Sequence, residues 1–194
     1  MVAAGVPLFG DGAGHFGFSS FDTARTALYA GGTLIGEAAS DYAEFEVPPG
    51  TADLRLEQSA TRSAPFRLST SVSGVWTFRS ATTSEETLLP LSTVRFSPRV
   101  DDRNVAPAGT SFTFPVEVVR PTGSAAPPNR DLTAEFSTDD GQTWQPATVA
   151  GSGGKRTVRV SNPTGPAYVS LRGHATDAAG NTATITVIKA YEVG

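Results

Sequence analysis

The sequence predicts an all-β fold, and two observations carry that expectation. Gly (20 residues) and Pro (14 residues) make up about a sixth of the 194-residue chain, against a usual share of roughly 12 %. They fall between runs of Thr, Val, Phe, Leu and Ser, the pattern of short strands separated by turns. The second observation is periodicity: apolar residues recur at alternate positions in many segments, and no stretch carries a helical repeat of useful length. Hydrophobic residues reach 39 %, enough for a core. At roughly 100–150 residues per domain, the length suits two small domains. The expectation is two tandem β-sandwiches, 1–97 and 98–194, meeting near residues 97–101.

The first half opens on a glycine-rich lead-in, Phe9 to Gly17, that contains His15. Thr26 to Tyr29 and Thr33 to Ile35 flank Ala30-Gly31-Gly32. Two β runs around Gly-Gly predict a hairpin, because glycine accepts the positive φ of a primed turn. Tyr42 to Val47 alternates, with Ala43, Phe45 and Val47 on one face. Pro48-Pro49-Gly50 breaks it, and Asp53 to Glu57 alternates again, so these two runs are expected to be joined by a turn. Pro65 to Val72 and Val75 to Arg79 are two more strand candidates, with Gly74 between them. Phe66, Leu68, Val75 and one of Trp76 or Phe78 are assigned to the core. The result is a jelly-roll-like or immunoglobulin-like first domain. Leu88 to Pro98 is extended and apolar, and Pro98 beside Asp101-Asp102 reads as a short semi-rigid linker.

The second half repeats the logic. Ser111 to Val119 places Phe112, Phe114, Val116 and Val118 on one face. Leu132 to Phe136, Thr143 to Val149, Arg156 to Val160, Ala167 to Asp177 and Thr182 to Tyr191 follow, separated by turn residues and the loop Pro121 to Asn129. About seven strands with turns every 8–12 residues predict an immunoglobulin-like or fibronectin-III-like sandwich.

Composition excludes several functions. The net charge is −4 and no basic stripe accompanies the aromatics, so nucleic acid is a poor partner. No apolar run approaches the roughly 20 residues of a membrane span, and no signal-peptide core is visible. Val2 onward reads as the interior of a longer chain, with Met1 an added start. With no cysteine, a disulfide framework and a thiolate zinc site are excluded, while export is not.

Ser137-Thr138-Asp139-Asp140-Gly141-Gln142-Thr143-Trp144 fits S-x-D-x-G-x-T-W, the Asp box of hairpins in sialidases and other secreted β proteins. Asp139 is positioned to accept backbone N–H groups inside the turn, Gly141 supplies positive φ, and Trp144 packs back under the hairpin. Ala175-Thr176-Asp177-Ala178-Ala179-Gly180-Asn181 is a second turn signature: Asp177 and Asn181 bond backbone around the bend and Gly180 takes a left-handed conformation. Both are structural devices. Asp101, Asp102, Asp139, Asp140 and Asp177 all lie at loops or strand ends and are the available calcium ligands, set against ordinary turn chemistry at the same positions. No other cofactor is expected.

Gly109-Thr110-Ser111, followed by Pro115, has the spacing of a subtilisin-type serine nucleophile motif. Phe112 and Phe114 alternate with Thr113, so the segment reads as a strand and Ser111 as a decoy. A nucleophilic serine needs a histidine beside it, oriented by a carboxylate. His15 lies in the glycine-rich lead-in, and His174 faces outward by the alternation of Val169, Leu171, Gly173 and Ala175.

Longer phrases carry a resemblance. Thr26 to Glu37, "TALYAGGTLIGE", with "EFEVPPGTADLRLE", "TRSAPFRLSTSVSGVWTFRS", "LPLSTVRFSPRVDDRNVAPAGTSFTFPVEV" and "YVSLRGHATDAAGNT", resembles the C-terminal β region of large secreted subtilisin-like serine proteases of actinobacteria. The resemblance spans roughly Pro7 to Tyr191 and contains none of the family's catalytic motifs. It implies an extracellular protein whose upstream part is a serine endopeptidase. This piece would be a non-catalytic accessory region, with the adjacent protease domain as its partner. The alternative is a binding module for substrate, carbohydrate or cell surface, which exposed aromatics sharing a sandwich face would favour; Tyr29, Tyr42, Tyr168 and Tyr191 are the available tyrosines.

Overall fold

The computed structural model describes residues 1–9, 19–124, 126–153 and 155–194. The lead-in containing His15 lies outside them for the most part. The described residues form strands and loops without a helix. In chain order the strands are β1 (Val2–Ala4), β2 (Thr23–Ala30), β3 (Thr33–Ala38), β4 (Ala43–Phe45), β5 (Thr51–Thr61), β6 (Ser71–Ala81) and β7 (Thr93–Phe96). They continue with β8 (Val105–Ala106), β9 (Ser111–Val119), β10 (Asn129–Ser137), β11 (Gln145–Ser152), β12 (Lys155–Ser161), β13 (Ala167–Asp177) and β14 (Thr182–Val193).

Pairing runs β3-β2-β5-β6-β14-β13-β10-β11-β12-β9-β7, with β8 beside β14 and a separate β1–β4 pair. Strand β11 changes partner midway. Gln145 to Ala147 pair with β10, and Thr148 to Ser152 pair with β12. The chain thereby turns a corner from a broad layer, β3 to β10, into a second layer of β12, β9 and β7. The layers pack face to face: a Cβ at Gly173 of β13 would lie 2.6 Å from Val94 of β7, and the rings of Phe114 and Tyr191 stand 6.0 Å apart.

Glycine places the first hairpin as expected. Gly31 and Gly32 have φ of 54° and 85°, the doubly positive pair of a type I′ turn. The hairpin continues into β5, and β5 into β6, by antiparallel pairing. Side chains facing the interior then align in rows across strands. One row is Leu28, Leu56, Trp76 and Ala183; the next is Thr26, Gln58, Gly74 and Ile185.

The β6–β14 ladder crosses the division expected at residues 97–101. It joins seven residue pairs, from Thr182↔Thr77 to Ile188↔Ser71. One core cluster contains Leu28, Leu56 and Trp76 together with Phe114, Val160, Leu171 and Tyr191. The stretch around residue 97 is also tied down, with the Ser97 amide bonded to the Pro115 carbonyl at 3.0 Å. Sequence alternation could not show this, because it assigns faces along a strand and not the neighbour at its edge.

Several local expectations are corrected. The run from Tyr42 keeps its alternation, with Ala43 and Phe45 buried, but β4 pairs with β1 rather than with the strand after Pro48-Pro49-Gly50. Pro65 to Leu68 is a loop, and Phe66 is 37 % exposed there, its ring stacked on the Arg62 guanidinium at 4.5 Å. Leu68 is half-buried in that loop, and Val75 faces outward while Val72, Trp76 and Phe78 face in. Gly74 is the middle of β6, not a break between two strands.

Buried polar groups stitch the small β1–β4 pair onto the broad layer. Gln58 accepts the Val6 amide at 3.0 Å and donates to the Asp41 carbonyl. Thr26 donates to the Ser40 carbonyl at 2.7 Å. Both side chains face the interior, and these bonds offset the desolvation of placing them there.

Candidate functional site

The acidic turn motifs close on themselves. At the β10–β11 turn, Thr143 donates its backbone N–H to Asp139 Oδ1 at 2.9 Å and its hydroxyl to Oδ2 at 2.6 Å. Ser137 Oγ donates to Asp139 Oδ1 at 2.7 Å and accepts the Gly141 amide at 2.9 Å. The Thr143 hydroxyl first, then its amide and Ser137, hold the Asp139 carboxyl down at about 2. Trp144 Nε1 donates to the Gly141 carbonyl at 3.0 Å. The indole is half-buried rather than fully enclosed, with one face against the Arg172 guanidinium at 4.3 Å.

The other turns use the same chemistry. Asp177 Oδ1 accepts the amides of Ala179 and Asn181, each at 2.9 Å, and its Oδ2 accepts Asn181 Nδ2 at 2.7 Å. Gly180 is left-handed at φ 87°. Asp101 Oδ1 accepts the amides of Arg103 at 2.9 Å and Val105 at 2.8 Å. Asp102 is exposed, and Asp140 faces Lys189 at 3.4 Å. Asp139 and Asp177 sit at opposite ends of β10, roughly 27 Å apart at about 3.4 Å per residue. Among the described residues no three His, Cys, Asp or Glu side chains come together.

Ser111 and His174 belong to different layers. Ser111 begins β9 and is paired with Ser161. His174 is exposed on β13, where its Nδ1 meets Thr184 Oγ1 at 2.8 Å. The tyrosines are likewise dispersed: Tyr191 is buried, Tyr29 is stacked under Arg55 at 4.0 Å, Tyr168 is held by Lys189 and Arg67, and Tyr42 is 52 % exposed.

His174 instead lies in a depression of about 740 Å³ on the outer face of the broad layer, within the usual size of ligand sites at about 300–1,000 Å³. Cross-strand register builds its floor. Thr133, His174 and Thr184 form one row, and Glu135, Arg172 and Thr186 the next. Arg172 Nε donates to Glu135 Oε2 at 2.7 Å while its guanidinium stacks on Trp144. The wall is β11 as it leaves β10: Pro146 stands on the outer side, and Ala147 and Val149, which pack toward the core, border the depression from below.

Alternation alone marks Thr133, Glu135, Arg172, His174 and Thr184 as outward-facing. The sequence reading singled out only His174, because which outward residues become neighbours depends on the strand order. No family model matches the chain, and a search of curated proteins finds no match to it.

Proposed function

We propose that this chain is a non-catalytic accessory region of a larger exported serine protease, bracing or positioning the catalytic domain outside the cell. The observation that carries the reading is the β6–β14 ladder, which makes the two halves one slab with one core. A slab of this kind is stiff, and it offers a broad sheet face to a neighbouring domain. Its acidic motifs are occupied in closing their own turns, which favours scaffold over chemistry. The strand order supports an immunoglobulin-type second half. The order β7-β9-β12-β11 corresponds to A-B-E-D and β10-β13-β14 to C-F-G of such sandwiches. Strands β3, β2, β5 and β6 of the first half extend the β10-β13-β14 sheet at β14.

A binding role is the second reading, and the depression around His174 favours it. Deleting residues 2–194 from the full-length parent separates the two. A bracing region predicts loss of activity on heating toward short and large substrates together. A binding region predicts that turnover of a short peptide is unchanged while action on a large or insoluble substrate falls. Loss of short-peptide turnover at low temperature, with the catalytic domain folded, would count against both.

A further inference from the structure

We propose that the depression around His174 is a binding site for a neutral saccharide; the inference rests on the binding reading above and supplies its ligand class. Three features of the site point the same way.

The first is pre-organisation. The His174 ring is oriented by Thr184, and the Arg172 guanidinium is held between the Glu135 carboxylate and the Trp144 indole. Polar groups fixed before binding lose little entropy when a ligand arrives. His174 keeps its second ring nitrogen, and Arg172 and Glu135 keep further donor and acceptor capacity, for hydroxyl groups of a ligand. Neighbouring strands space these side chains about 4.5–5.5 Å apart, about the width of a pyranose ring.

The second is charge. The one carboxylate and the one guanidinium in the lining are paired with each other. The remaining polar groups are hydroxyls and an imidazole. A phosphate or a sulfated ligand would have to compete with Glu135 for Arg172, whereas an uncharged polyol adds hydrogen bonds without breaking that pair. Pro146, exposed beside Glu135, provides apolar surface for the C–H face of a sugar.

The third concerns the competing occupant, an extended peptide adding to the free stretch of β10. The start of β10 is bulged between Asn129 and Asp131 in its pairing with β13, which distorts the strand, and it carries the exposed pair Arg130 and Asp131. A bulge and charges are the devices by which sheets reject an added strand, so the site favours a saccharide over a peptide.

The test uses the full 194-residue chain. It is screened against a panel of neutral di- to hexasaccharides of glucose, mannose, galactose, xylose and N-acetylglucosamine, with hits measured by calorimetry. The same titration is run on His174→Ala and Thr133→Val, both at exposed positions, with melting temperature as the check on folding. Binding that weakens at least tenfold in each variant, with melting unchanged, supports the proposal. No binding across the panel overturns it, as does binding that either variant retains. The accessory reading fails separately: it falls if deletion from the parent abolishes short-peptide turnover at low temperature with the catalytic domain folded, whatever the chain binds.

Discussion

The Trp76 indole lies across the Cα of Gly74, two residues earlier on the same face of β6, where a Cβ would stand 2.1 Å from Cη2 of the ring. The indole is 1 % exposed and donates Nε1–H to the Ser92 carbonyl at 2.7 Å. Gly74→Ala should therefore push the ring out of place and strain that bond, at a cost of about 1–3 kcal/mol, as overpacked cores do. Trp76→Ala should cost about 3–5 kcal/mol. Trp144→Ala, at a half-buried site, should cost less than Trp76→Ala. Urea unfolding of the three variants gives the order directly, and an equal loss for both tryptophans would contradict the packing described.

The shared sheet predicts that the halves do not unfold independently. Tryptophan fluorescence, which samples Trp76 in the first half and Trp144 in the second, and far-UV circular dichroism should report one coincident transition for the whole chain. A fragment of residues 98–194 also lacks β7, whose Val94 is 2 % exposed against the opposite layer. It should be less stable than a fragment of residues 88–194, which retains β7. Two separate transitions, or equal stability of the fragments, would favour two autonomous domains.

Asp139 gives the β10–β11 turn an acid limit. Its carboxyl is held at about 2 against an ordinary 3.8, chiefly by the Thr143 hydroxyl. A depressed carboxylate contributes stability that is present above its unfolded value and is lost as pH falls through its folded value. Stability should thus decline between about pH 4 and pH 2. Asp139→Asn should remove part of that decline, measured by denaturant midpoints across the range. An identical pH profile in the variant would show that the turn does not depend on the charge.

Tyr191 sets the opposite limit. Its hydroxyl donates to Asn162 Oδ1 at 2.9 Å, and burial pushes the phenol well above its usual range. A raised phenol contributes stability present below about pH 10, its unfolded value, and lost as pH rises beyond that. In ultraviolet titration Tyr191 should ionise only when the chain unfolds. Tyr191→Phe should cost about 1–3 kcal/mol, because it leaves the buried Asn162 oxygen without its donor.

Much of this molecule follows from the sequence by itself. Alternation placed Phe112, Phe114, Val116 and Val118 on one face of β9 and turned His174 outward. The Gly31-Gly32 pair located a primed turn, and the Asp139 and Asp177 motifs specified hydrogen bonds that the structure contains. These are local matters: a strand's period of two and a turn's φ values are set within a few residues. Partner choice is not local. That β6 lies beside β14 and that β4 joins β1 were decided only when distant segments met. The same holds for the depression, whose Thr133, His174 and Thr184 come from three strands. The physical reason is that a strand edge presents the same N–H and C=O groups whatever its sequence. Its neighbour is therefore chosen by which pairing buries the most apolar surface and leaves the fewest backbone groups unpaired across the whole chain.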